Sequence, residues 1–257
     1  MKRTTVFNVV CLLAGLFMPA FALHAAPPEG EGWVALFNGK DLTGWKVPSG
    51  NEGLWTVVDG VIDCSPRADK KGDNSLWSEK SFADFTLHVE WRLKETKGEY
   101  LMPVMLPDGT YKTDETGAVL AFKRPNADSG IYLRGSSKSQ INIWCWPVGS
   151  GEIWGYRTDQ KMPAEVRAGA TPKVCADKAV GEWNTFVITL KGDRLTVVLN
   201  EQTVIDDAQL PGLPERGPIA LQHHGGYNAE ADTWSPASSL VQFRNVYCKE
   251  LDAPEGG

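Results

Sequence analysis

The feature that most constrains the fold is a succession of short β-type segments running through nearly the whole chain. They are WVALF (33–37), LWTVV (54–58), VIDC (61–64), DFTLHVEWRL (84–93), AVLAFK (118–123), SGIYLR (129–134), QINIWC (140–145), EIWGY (152–156), NTFVITLKG (184–192), RLTVVLN (194–200), QTVID (202–206), PIALQ (218–222) and LVQFRNVYCKEL (240–251). Each is rich in β-branched and aromatic residues and bounded by Gly, Asp, Asn or Pro, the punctuation of strands. VVDGVID and TLKGDRLTVVLNEQTVID read as consecutive hairpins with Asp59-Gly60 and Lys191-Gly192-Asp193 at their tips. No segment of a dozen residues keeps a 3.6-residue apolar period. Many short strands without helices predict an all-β fold, an antiparallel β-sandwich or jelly roll. Two stretches, 96–116 and 157–181, are irregular, and loops of that length in compact domains are usually functional or mobile.

The N-terminus has a separate character. Lys2 and Arg3 precede an apolar run over 6–21, and Ala20-Phe21-Ala22 supplies a small-residue exit. This is the pattern of a secretory signal peptide, assigned to residues 1–25, with 26–257 as one domain. A periplasmic or secreted protein is the expectation. The apolar run is too short for a membrane span, and no other stretch approaches about 18 apolar residues. Removing residues 1–25 lowers Lys+Arg from 26 to 24 against 32 Asp+Glu, a net charge of about −8. That balance argues against nucleic acid, which calls for a basic face, and fits a neutral small molecule. Four cysteines remain, Cys64, Cys145, Cys175 and Cys248. An exported chain permits disulfides, and Cys145 with Cys175 is one pairing among several, since sequence does not fix connectivity. No cysteine or histidine spacing matches a zinc site.

Read with period two, the strands show polar residues of an unusual kind. His88, Glu90 and Arg92 share one face of LHVEWRL; Tyr132 and Arg134 oppose Ile131 and Leu133; Gln140, Asn142 and Trp144 oppose Ile141, Ile143 and Cys145; Gln222 and His224 fall together, opposite Leu221 and His223. Outward faces of antiparallel strands are polar by default. These, however, are hydrogen-bonding side chains interleaved with aromatics, the mixture of a binding cleft, and Lys is nearly absent among them. Glu90 reads equally as a catalytic carboxylate or as an ion-pair partner of Arg92 or Arg134 that orders the sheet. His224, before Gly225-Gly226, reads as a solvated loop histidine, a general base or a metal ligand. Trp144, Trp146 and Trp154 could stack on the apolar face of a sugar. Asn126 and Asp128, ahead of Ser129-Gly130, read as turn residues.

The segments GWVALFNGKDLTGWK, LWTVVDGVI, FADFTLHVEWR, ADSGIYLRG, GEWNTFVITLKGDRLTVVLN, GPIALQHHG and VQFRNV, in that order over about 32–251, resemble the 3-keto-disaccharide hydrolase family. The resemblance implies a concanavalin A-like, glucanase-type jelly roll and activity on glycosides already oxidised at C3. A C3 ketone acidifies the C2 proton, so a base near C2 can form an enolate and expel the C1 oxygen, after which water adds to the enone. Such chemistry needs a base and a donor, cation or metal at the enolate oxygen. It does not need the carboxylate pair of ordinary glycosidases.

Carried over residue by residue, Glu90 and Arg92 match the family's acidic-aromatic-arginine strand, Arg134 its GIYLR arginine and His224 the histidine of its LQxHG motif. The resemblance thus implies His224, Glu90 and Arg134 as catalytic residues. Arg92, Tyr132, Gln140, Asn142, Trp144, Trp154, Glu152 and Gln222 complete the expected substrate-binding set. Where many relatives carry Glu-x-Gln-x-x-Asp, this chain has Gln140, Asn142 and Cys145, so both acids are absent. A divalent metal ion is the one cofactor the resemblance raises, and these departures weaken its site. Two other functions stay open: a carbohydrate-binding module of the same fold, and an ordinary glycosidase in which Glu90 and Glu152 would converge to about 5–10 Å.

Overall fold

The computed structural model describes residues 27–50 and 53–251; the expected signal peptide, residues 1–25, lies outside them. In chain order the strands are β1 (Val34–Ala35), β2 (Trp45–Lys46), β3 (Trp55–Val58), β4 (Val61–Cys64), β5 (Leu76–Phe82), β6 (Phe85–Leu93), β7 (Glu99–Pro103), β8 (Ala121–Pro125), β9 (Asp128–Leu133) and β10 (Ser136–Trp144). Two short helices follow, α1 (Trp154–Arg157) and α2 (Ala164–Gly169). The remaining strands are β11 (Asn184–Lys191), β12 (Arg194–Leu199), β13 (Gln202–Gln209), β14 (Gly217–Leu221), β15 (Tyr227–Asn228), β16 (Thr233–Trp234) and β17 (Val241–Glu250).

These strands form two principal sheets. The larger runs β13-β12-β11-β6-β17-β4-β3, with β1 also on β17; the smaller runs β10-β9-β14-β5-β2. Every pairing between named strands is antiparallel. Period-two alternation gives each sheet one apolar face. Leu87, Val89 and Trp91 of β6 meet Ile131 and Leu133 of β9, Ile141 and Ile143 of β10 and Leu221 in one buried core. The fold is the β-sandwich the alternation predicted.

Burying these apolar faces is the main stabilising contribution, about 1.5–3 kcal/mol per fully buried large side chain. It also fixes which face of each strand looks outward, because a one-residue slip would turn every core residue into solvent. The outward face of the smaller sheet is covered at one end. The β7–β8 hairpin brings Met102 against Trp144 and Trp146 in a small second cluster, and α1 lies beside β10 while α2 packs on β13 of the larger sheet.

Two local expectations change. EIWGY does not form a strand: Glu152 and Ile153 lead into α1, whose Gly155 passes so close to β10 that a Cβ there would lie 2.4 Å from the Lys138 carbonyl oxygen. Only glycine allows that approach. The 157–181 stretch contains α2, seated by Val166 in the core. All four cysteines of the described residues are free thiols, so the Cys145–Cys175 pairing is not formed. Cys64 and Cys248 are buried as core side chains.

Candidate functional site

The site lies on the outward face of the smaller sheet, where β9, β10 and the chain leaving β14 come together. Register places Asn142 opposite Gly130 and Trp144 opposite Asp128, while Gln222 follows β14 and its N–H donates to the Gly130 carbonyl. Because Ile131, Ile141, Ile143 and Leu221 are held in the core, their neighbours must face out. The result is a cavity of about 240 Å³ lined by Tyr100, Asp128, Gln140, Asn142, Trp144, Trp146, Trp154, Gln222, His224 and Ala237. That volume is below the common range for small-molecule sites, ~300–1,000 Å³. It has room for a single sugar ring rather than a long chain.

The floor is a chain of carboxamides. Gln140 Nε2 donates to Gln222 Oε1 at 2.7 Å and, very closely, to Asn142 Oδ1. Asn142 Nδ2 donates to Glu152 Oε2 at 2.8 Å. Glu152 in turn holds Arg157, whose guanidinium also reaches the Tyr111 hydroxyl. The arrangement depends on Gly130, since a Cβ there would stand 2.8 Å from Gln140 Cγ. Satisfied buried networks of this kind fix side-chain orientation.

One wall is aromatic. The Trp144 and Trp146 rings stack with centroids 4.1 Å apart; Trp154 meets Trp144 edge-on at 6.2 Å, and Tyr100 leans on Trp146 at 6.1 Å. Trp144 is anchored by its Nε1–H, which donates to the Gly149 carbonyl at 2.7 Å. The two middle rings are buried, whereas Tyr100 and Trp154 are exposed at the mouth.

Facing this wall are the cavity's imidazole and its carboxyl, His224 and Asp128. The His224 ring is set by a 2.8 Å contact from Nδ1 to the Ala237 carbonyl oxygen. Its backbone N–H donates to Ser239 Oγ at 2.7 Å, and the same hydroxyl donates to the Asp128 carbonyl at 2.8 Å. Ser239 therefore ties the two residues' backbones together. Burial pushes the Asp128 carboxyl up to about 6, with the nearby His224 pulling the other way. Its Oδ1 is buried and has no hydrogen-bond partner. His223 points to the other side, where its Nε2 accepts the Arg67 N–H at 3.1 Å, and burial lowers it to about 4.

Of the residues expected from the sequence, Gln140, Asn142, Trp144, Trp154, Gln222 and His224 line this one cavity. Tyr132 shares the same face but sits beyond Gln222, its ring 5.7 Å from Trp77. Glu152 lies beneath the floor, wholly buried. Three expected residues are placed elsewhere. Glu90 and Arg92 belong to β6 in the larger sheet, on the face turned away from the shared core. There Glu90 accepts from Arg244 Nε at 2.6 Å and Asn245 Nδ2 at 2.9 Å, and Arg92 donates to Gln242 at 2.6 Å and covers Trp183.

Arg134 closes the turn after β9. It donates to the carbonyls of Ala83, Gly192 and Pro214 and to Asp84 at 2.7 Å. Every arm of its fork is used to lock the loops together, and it does not line the cavity. Asp128 and Tyr100 went unrecognised in the sequence. Period two counted back from Tyr132 through Gly130 reaches Asp128, but the Asn-Ala-Asp-Ser-Gly cluster masked it as a turn. Tyr100 lies in the irregular 96–116 stretch and carries no periodic signal.

The donor set bears on a metal ion. Among the described residues no group of three or more His, Cys, Asp or Glu side chains is placed to hold one. The cavity offers one carboxylate, one imidazole and carboxamides already bonded to each other, while Glu152 is committed to Arg157 and Asn142. Hard divalent cations take several carboxylate or carbonyl oxygens, and these residues do not fit that requirement.

Residues 32–249 match the model of the 3-keto-alpha-glucoside-1,2-lyase-like domain. The chain belongs to this family. Solved structures agree on the fold. A protein of Parabacteroides distasonis ATCC 8503 provisionally assigned as a glycosyl hydrolase aligns at 19% identity with a TM-score of 0.51, covering 86% of this chain and 95% of its own. A second structure so described, from the same organism, aligns at 19% identity and TM-score 0.51, covering 85% and 99%. No curated protein matches the chain. The family is that of a 3-keto-alpha-glucoside-1,2-lyase-like domain, and the fold is the one shared with these glycosyl hydrolase-like structures.

Proposed function

We propose that this chain is an exported enzyme that cleaves 3-keto glycosides by base-assisted elimination and hydration. The observation that carries the reading is His224, an exposed imidazole oriented through Nδ1 at the edge of a one-ring cavity with an aromatic wall and an amide floor. In its neutral form the ring presents Nε2 as the base. Nε2 takes the C2 proton of the sugar, and the electrons pass to the C3 oxygen. Gln222 accepts from Gln140 on its oxygen and its amide nitrogen meets the Tyr132 hydroxyl, so one N–H of that nitrogen remains as a donor for the oxyanion. The C1–O bond then breaks, and water adds to C1. The tryptophans stack on the ring's apolar face.

An ordinary glycosidase finds no support, because Glu90 faces away on the other sheet and Glu152 is bound to Arg157. A binding module without turnover has one observation in its favour. The floor consists of Gln140, Asn142 and Gln222, which hold hydroxyls but transfer no protons, and a fold of this kind does not decide between the two roles. Incubating the purified protein with a 3-keto-glucoside, with and without EDTA, separates them. Aglycone release that is lost in His224→Ala supports the enzyme. Saturable binding with no release in either condition replaces it with the binding module.

A further inference from the structure

Asp128 is the one carboxyl of the cavity, and the structure gives it no internal task. Its Oδ1 is buried without a partner, an expensive condition for a carboxylate. In many hydrolase sites an aspartate orients the histidine through Nδ1, but here that role is already filled by the Ala237 carbonyl. The backbones that carry the carboxyl and the imidazole are nevertheless tied to one another. The Asp128 N–H donates to the Ser238 carbonyl at 3.3 Å, and its carbonyl accepts from Ser239 Oγ, the atom that also receives the His224 N–H.

We propose that Asp128 is the acid–base partner of His224, protonating the departing glycosidic oxygen and then deprotonating the water that adds to C1. This rests on the elimination reading above. In the first half, His224 Nε2 takes the proton from C2, the C2–H pair becomes the C1=C2 bond, and the C1–O pair leaves with the aglycone oxygen, which receives the Asp128 proton. In the second half, the Asp128 carboxylate takes a proton from water as its oxygen bonds to C1. The electrons pass through the enone to the C3 oxygen, and the imidazolium returns its proton to C2. Both side chains end as they began, and the sum is hydrolysis.

The titratable groups around Asp128 are His224 from the loop after β14, Tyr132 on its own strand and Cys145 just beyond β10. Burial keeps the carboxyl protonated to about 6, so part of the population carries the proton near neutrality, as a general acid requires.

The test compares two leaving groups, 3-keto methyl glucoside and 3-keto 4-nitrophenyl glucoside, in wild type and Asp128→Asn. Nitrophenolate leaves without a proton; methoxide does not. In single turnover, D128N should release methanol at least about 100-fold more slowly and nitrophenol within about threefold of wild type, the range of general acid catalysis. The variant should also accumulate the ultraviolet-absorbing enone, because hydration has lost its base. The alkaline limb of the wild-type methyl glucoside profile should be absent in D128N. An equal loss on both substrates would make Asp128 structural, and full methyl glucoside activity in D128N would remove it from the reaction. If wild type releases neither aglycone, the elimination reading itself falls, and the assignment of Asp128 with it.

Discussion

His224 Nδ1 lies 2.8 Å from the Ala237 carbonyl oxygen. A carbonyl only accepts, so Nδ1 carries the hydrogen and the neutral ring keeps its lone pair on Nε2. The contact thus selects the tautomer a base needs and fixes the plane of the ring, without using a carboxylate to do so.

Replacing His224 should therefore abolish proton abstraction while sparing the fold. His224→Ala and His224→Gln are expected to lower kcat on a 3-keto glucoside by about 10²–10⁴-fold, with the circular dichroism spectrum and Tm close to wild type. A variant with undiminished kcat would exclude the imidazole as base.

Two half-buried titratable groups, Asp128 and His223, pull stability in opposite directions with pH. Asp128 is raised from 3.8 to about 6, so its contribution is full below pH 3.8 and is lost as pH rises through 6. His223 is lowered from 6.5 to about 4, so its contribution is full above pH 6.5 and is lost as pH falls toward 4. Asp128→Asn should accordingly be more stable than wild type at pH 8, by on the order of 1–3 kcal/mol, with the gain vanishing by pH 4. His223→Asn should flatten the loss of stability between pH 6.5 and 4. Urea melts across pH 4–8 measure both.

Arg134 should behave as a structural clamp. Arg134→Ala removes the guanidinium from Asp84, which keeps only the Gly192 N–H, and from three carbonyls, and breaking a buried pair in this way costs about 3–5 kcal/mol. The expected result is a lower Tm with KM unchanged at temperatures where the variant is folded. A raised KM with an unchanged Tm would return Arg134 to the site.

Gly130→Ala tests the floor. The added methyl would meet Gln140 Cγ at 2.8 Å and Nε2 at 2.9 Å, displacing the carboxamide that joins Gln222 to Asn142. A small misplacement of positioning groups is costly, and KM is expected to rise about tenfold with a modest change in Tm. Binding by titration calorimetry to a non-reactive glucoside would show the same loss.

Much of this was legible in the sequence because strand periodicity is a local property. Ile141 and Ile143 must be buried, so Gln140, Asn142 and Trp144 must face out; Leu221 must be buried, so Gln222 and His224 must face out. The sandwich, its apolar faces and the polar character of the site strands follow from that alternation alone. Glu90 and Arg92 passed the same test and do not belong to the site, because periodicity says that a residue faces outward but not from which sheet. That is decided by strand pairing: β6 lies between β11 and β17, while β9 and β10 lie in the other layer. Likewise the sequence presented Asp128 as a turn residue, and the resemblance implied Arg134 as a catalytic residue. Only the tertiary structure, by bringing Ser239 and Ala237 against β9 and the loop after β14, left Asp128 unpaired beside His224 and used Arg134 to close the far end of the strand. Local chemistry determined which side chains look outward; contacts between residues distant in sequence decided which of them meet.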